Sequence, residues 1–194
     1  MKTLTLFIFS LISFAFAKGD TAAAEALVLV TPSSSLSVKG TTNVNDFECA
    51  YNMDELKHPI SVFFKKQGDK LVFRRTALVL DNSCFDCGSK GINSDFQKIL
   101  KTEKQPKIYL YLKELKAKNA SPKINLASVD IKIAGITNAY EIPVTIIDKD
   151  NMSVNGRVSI RLSDFNMEGP KKLFGLIEVD DTVKIDFQLE LKEL

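Results

Sequence analysis

The final run of the chain, "TVKIDFQLELKEL", alternates apolar and polar residues without a break. Val183, Ile185, Phe187, Leu189 and Leu191 fall on one side; Lys184, Asp186, Gln188 and Glu190 fall on the other. Side chains point to opposite faces of a strand in turn, so this segment offers one face to a core and one to water. The same period recurs upstream. "PKIYLYLKEL" sets Ile108, Leu110 and Leu112 against Tyr109, Tyr111 and Lys113, and "SVDIKIAG" sets Val129, Ile131 and Ile133 against Asp130 and Lys132. "YEIPVTII" presents Ile142, Val144 and Ile146, while "GRVSIRLS" presents Val158, Ile160 and Leu162. "PISVFFKK" presents Ile60, Val62 and Phe64, then returns through a turn at Gln67–Lys70 into "KLVFRRTALVL", which carries Phe73.

Short turns can join only antiparallel strands. About eight such segments must each hide one face, and a sheet closed on itself or two stacked sheets does so. The pattern therefore predicts an all-β fold, an antiparallel barrel or a sandwich. A closed barrel also removes exposed strand edges, and its interior can be filled or hold one ligand. One short helix interrupts the strands, expected over 93–104. Asn93 or Ser94 would cap it, Pro106 would stop it, and Phe96, Ile99 and Leu100 form its apolar stripe.

The two ends of the chain read differently. "MKTLTLFIFSLISFAFA" combines Lys2, an apolar run and an Ala-Phe-Ala pattern, which predicts a secretory signal peptide cleaved after Ala17. Residues 18–34 read as a short leader, and 35–194 as one barrel domain. Export implies a periplasmic or secreted protein without a transmembrane segment in its mature form. It also exposes Cys49, Cys84 and Cys87 to an oxidising compartment. One bridge and one free thiol is the simplest arithmetic. A Cys84–Cys87 bridge is the expected pairing, because "CFDCGSKG" is too glycine-rich for a helical redox site; Cys49 with either of them is the alternative.

Chemistry-bearing motifs are sparse. A net charge of +2 gives no nucleic-acid footprint. The single histidine, His58, precedes Pro59 with no nucleophile pattern near it and reads as a surface residue. Asp180-Asp181 reads as a turn cap rather than a metal site, so neither a catalytic nor a metal site is expected. Arg74-Arg75 and Lys171-Lys172 read as rim charges, with a ligand headgroup as the second reading.

"SSLSVKGTTNVNDFECAY", "INSDFQKILKTEKQPKIYLYL", "ASVDIKIAGITNAYEIPVTI" and "IRLSDFNMEGPKKLFGLIEVDDTVKIDFQLEL" follow one another in an order that resembles the YceI-like family. The likeness is strongest to its members from Bacteroidetes and spans roughly Ser35 to Leu191. It implies an eight-stranded barrel of extended lipocalin type. The resemblance further implies that such a barrel holds a long apolar ligand, an isoprenoid, quinone-like or fatty-acid-like amphiphile, and needs no cofactor. The CxxC loop is not a general feature of that family. On this reading Phe64, Phe73, Leu110, Leu112, Ile131, Ile133 and Ile146 would line the cavity or its mouth, with Val158, Ile160, Phe187 and Leu189. Phe165 and Phe174, in the apolar connection "DFNMEGPKKLFGL", would plug or gate it, or else cap a filled core.

Two functions follow from these readings. One is an exported, non-enzymatic carrier of an apolar chain, with its partner a hydrophobic small molecule and a homodimer left open. The other is a filled barrel that acts as an interaction or structural module.

Overall fold

In the computed structural model, residues 23–117, 124–148, 152–169 and 178–194 are described. The expected signal peptide, the cleavage point after Ala17, Lys171-Lys172 and Phe174 lie outside them. Among the described residues no helix is long and apolar enough to cross a membrane.

The strands in chain order are β1 (Ala24–Val30), β2 (Ser35–Thr41), β3 (Asp46–Tyr51), β4 (Ile60–Gln67), β5 (Lys70–Arg74) and β6 (Ala77–Asp81). They continue as β7 (Phe85–Asp86), β8 (Lys107–Ala117), β9 (Ile124–Ile133), β10 (Ile136–Asp148), β11 (Met152–Arg161) and β12 (Thr182–Glu193). Every pairing is antiparallel, and the order β1-β4-β5-β8-β9-β10-β11-β12 closes through a β1–β12 ladder. The result is an eight-stranded ring, a barrel rather than a sandwich.

Two of the ring's walls are broken strands. β1 and β2 both lie along β12, β1 at Leu191–Glu193 and β2 at Lys184–Gln188. β5 and β6 likewise share β8. The leader reading is thereby corrected: Ala24–Val30 is the strand that closes the barrel. Leu27 and Leu29, apolar on the opposite face, mask the alternation of Ala26, Val28 and Val30, which pair with Val62, Ile60 and Leu191.

The helix, α1 (Lys90–Ile99), begins three residues earlier than expected and also ends earlier. Ser89 caps it by accepting the Ile92 N–H at 3.3 Å. Asn93 is occupied elsewhere: its Oδ1 accepts the Cys87 N–H at 2.6 Å and its Nδ2 donates to Asp86 at 3.0 Å. A left-handed residue, Lys101 at φ 54°, follows the helix before Pro106 can stop it. Leu100, just beyond α1, is 5% exposed, and Phe96 and Ile99 pack on the buried core, so the apolar stripe does face the barrel.

Between β9 and β10 a two-residue turn places Ala134 (φ 50°) and Gly135 (φ 87°) in the left-handed region. Two such residues in succession give the hairpin turn whose twist suits antiparallel strands. It fixes a register that holds from Ile136↔Ile133 to Thr145↔Ile124.

Candidate functional site: the barrel interior

The inward rows follow from burial and register. Ala127, Val129, Ile131 and Ile133 on β9 are all buried, Ile131 at 1% exposure. Across β11 and β12 the pairs Ile160↔Val183, Val158↔Ile185, Gly156↔Phe187 and Val154↔Leu189 share that face. Gly156 is a glycine for lack of space: a Cβ there would sit 2.4 Å from Phe187 Cζ. Gly40 stands in the same relation to Phe47, its cross-strand partner.

Burial along these rows is uneven. Near α1, Ile108, Ile160, Leu162 and Val183 are buried. Further along the same faces, Leu110, Leu112 and Leu115 on β8, Val154 and Val158 on β11, and Ile185, Phe187 and Leu189 on β12 are only half-buried. Ile60, Val62 and Phe64 on β4 behave alike, and Ile146 on β10 joins them. Burial is therefore greatest at the α1 end, and the inward apolar side chains along β4, β8, β11 and β12 pack against that core while keeping part of their surface accessible. Lys66, buried at 9% exposure, continues the β4 row beside Leu71.

The connection after β11 closes the packed end. Ser163–Phe165 form a short 3-10 turn that puts Phe165 at 0% exposure, its ring stacked 6.3 Å from Tyr140. Met167 is buried beside it, at 3%. Polar bonds hold this turn: Asn138 Nδ2 donates to Asp164 O at 2.8 Å and Lys101 Nζ to Asn166 O at 2.9 Å. Arg161 pairs with Asp164 at 2.7 Å, and Asp181 accepts both the Ser163 N–H (2.8 Å) and its hydroxyl (2.6 Å). Asp181 therefore caps a turn, as its position before a strand suggests. Phe165 and Met167 are core, not lid; Leu173, Phe174 and Leu176 lie outside the described residues.

The expected Cys84–Cys87 bridge is not formed. Cys49 is bonded to Cys87, with Cα atoms 4.0 Å apart, and Cys84 is a half-buried free thiol. The reason is register. β3 pairs β7 through Tyr51↔Phe85 and Ala50↔Asp86, so Cys49 and Cys87 meet as the next rung. No sequence spacing displays that ladder. Near the bridge the wall between β3 and β6 is joined by a side chain, since the Asp81 N–H donates to Tyr51 Oη at 3.3 Å. Burial pushes the Tyr51 hydroxyl up to about 12, and the neighbouring Cys84 adds to this.

Several carboxylates are held below their ordinary range: Asp86 by the Asn93 side chain, Asp181 by the Ser163 hydroxyl, and Asp186 by Arg157. Their stabilisation is present above the unfolded pKa, about 3.9, and is lost as pH falls through the lower folded values. Tyr51 acts oppositely. Its contribution is present below an unfolded pKa near 10 and is lost as pH rises toward 12. We expect Tm against pH to be flat from roughly 5 to 9 and to fall on both sides. An unchanged Tm at pH 3 would contradict the assigned carboxylate bonds.

The ring closes through β1 and β12, and the sequence profile of the YceI-like domain family matches residues 37–191. The chain belongs to the YceI-like family. Solved structures share this fold. The crystal structure of BcnA from Burkholderia cenocepacia aligns at a TM-score of 0.61 and 19% identity, over 84% of this chain and 99% of that one. A polyisoprenoid binding domain from Saccharophagus degradans aligns at 0.63 and 13% identity, over 89% and 100%. No curated protein matches the chain in sequence. At these identities the YceI-like members share architecture, so the contents of this barrel must be argued from its own residues.

Proposed function

We propose that this YceI-like protein is an exported, non-enzymatic carrier that holds a long apolar chain inside its barrel. The observation that carries the reading is the half-buried inward row, Val158, Ile185, Phe187 and Leu189, beside the fully buried Ile160 and Val183. An alkyl or isoprenoid chain laid along that row gains roughly 0.8 kcal/mol for each methylene removed from water. Such binding needs no polar motif, which accords with a sequence that displays none. The polyisoprenoid-binding relative from Saccharophagus degradans supports the ligand class, an isoprenoid, quinone-like or fatty-acid-like amphiphile. Export to the periplasm or beyond is supported by the N-terminal "MKTLTLFIFSLISFAFA" and by a disulfide that persists in oxidising compartments.

Of the thirteen candidate contacts, the half-buried Phe64, Leu110, Leu112, Ile146, Val158, Phe187 and Leu189 are assigned to the ligand. Phe73, Ile131, Ile133, Ile160 and Phe165 are buried among protein side chains and support the wall. Native mass spectrometry of protein purified from its own host is expected to show a co-purifying lipid mass. An apolar fluorescent probe should bind saturably to delipidated protein, and Leu189→Trp, which fills the space, should weaken it. A clean apo mass together with no saturable probe binding would leave the filled interaction module as the function.

A further inference from the structure

The barrel wall is interrupted at one level of β8. β5 pairs β8 as far as Val72↔Glu114, and β6 resumes at Ala77↔Tyr111. Between them the Leu112 N–H donates to Thr76 O at 3.1 Å. Arg75 turns the chain there at φ 54°, a conformation that is costly for a residue with a side chain. Buried Thr76 steadies the turn: its hydroxyl accepts the Phe63 N–H at 3.2 Å and donates to Arg74 O at 3.3 Å. β8 changes face at the same level, through a bulge between Leu112 and Glu114.

The paired irregularities open a cleft of about 390 Å³ lined from both faces of the sheet. Phe73 and Leu112 come from the inward rows, while Arg74, Arg75, Lys113 and Thr137 come from the outside. Asp130 also lines it, but Lys113 stands 3.5 Å from that carboxylate and offsets its charge. Arg74 and Arg75 are exposed, and among the described residues neither makes an ion pair. Two guanidinium groups beside an apolar gap match a molecule that is anionic at one end and apolar beyond it. Their fork geometry suits two-oxygen acceptors, carboxylate or phosphate, better than a neutral hydroxyl.

We propose that this cleft is a lateral doorway. It takes the acidic head of an amphiphile at Arg74 and Arg75, while the tail enters the barrel past Phe73 and Leu112. The proposal rests on the carrier reading and narrows its ligand to an acidic amphiphile. Palmitate, hexadecyl phosphate and hexadecanol, compared as competitors of an apolar fluorescent probe, test it. The variant is Arg74→Gln with Arg75→Gly, since glycine accepts φ 54° without strain and the bulge is preserved.

In the wild type both acids should bind roughly tenfold more tightly than hexadecanol, the scale of one or two charge-assisted hydrogen bonds at an exposed rim. In the variant that gap should close while hexadecanol affinity stays unchanged. Equal affinity of acid and alcohol for the wild type would overturn the doorway and leave the carrier standing. A gap that survives in the variant would place the head elsewhere and also overturn it. If inorganic phosphate alone raises the wild-type Tm, with no gap between acid and alcohol, the arginines hold a free anion and no amphiphile head. If none of the three competes, the carrier reading falls and takes this proposal with it.

Discussion

Replacing Phe165 by alanine is expected to lower stability by about 3–5 kcal/mol, the usual cost of emptying a buried phenylalanine site. For a chain of this size that corresponds to a Tm lower by roughly 6–20 °C. The expectation rests on burial and not on residue type. Phe165 is 0% exposed, stacks on Tyr140, and sits in a turn whose polar ends are bonded to β10, to Asp181 just before β12 and to the segment after α1. That bonding limits how far the turn can collapse into the vacated space, which puts the cost toward the upper end. Thermal unfolding monitored by circular dichroism measures it directly. A loss of under about 2 °C would mean that the ring is a cover over open space. The same variant should leave the affinity for an apolar probe almost unchanged, because Phe165 belongs to the packed end of the barrel.

Breaking the Cys49–Cys87 bridge should have an effect of similar size. The bond closes a loop with a sequence separation of 38 residues, for which the chain-entropy relation gives roughly 4 kcal/mol at 25 °C. β7 has two residues and, among the described residues, pairs with β3 alone, so the bridge carries much of what holds this piece of wall in place. We expect Cys49→Ser in a Cys84→Ser background to melt roughly 8–16 °C below Cys84→Ser alone. Cys84→Ser by itself should change Tm little, because Cys84 lies outside the disulfide, is half-buried, and a serine hydroxyl can keep a polar contact with Tyr51. Peptide mapping without reduction gives an independent check, since the linked fragments must contain Cys49 and Cys87. A Tm loss on removing Cys84 that equals the loss on removing Cys49 would refute the assigned pairing.

Some of this protein is legible in its sequence and some is not. Alternation along "TVKIDFQLELKEL" determined which face of β12 turns inward, because a strand's side-chain period is two whatever lies beside it. The same reasoning placed Ile131, Ile133 and Ile160 in the interior, where they are nearly inaccessible. It required an antiparallel all-β fold, and the order of segments marked the family. The alternation of β1 is hidden in the sequence, because Leu27–Val30 is an unbroken apolar run that shows no period until β4 and β12 lie on either side of it. The start of α1 was misplaced because Asn93, a good cap by type, spends its side chain on Cys87 and Asp86.

Pairing between distant segments belonged to the tertiary structure alone. The choice of barrel over sandwich depends on β1 meeting β12, and the choice of Cys49 over Cys84 depends on the register of β3 against β7. Neither is a local property: each is set by which strands end up adjacent, at a cost in loop closure that tertiary packing offsets. The same holds for the doorway. Arg74-Arg75 read as rim charges in the sequence, and they face an apolar gap because β5, β6 and β8 lose their alignment at one level. Local chemistry decided which way each residue faces; contacts between remote strands decided what it faces.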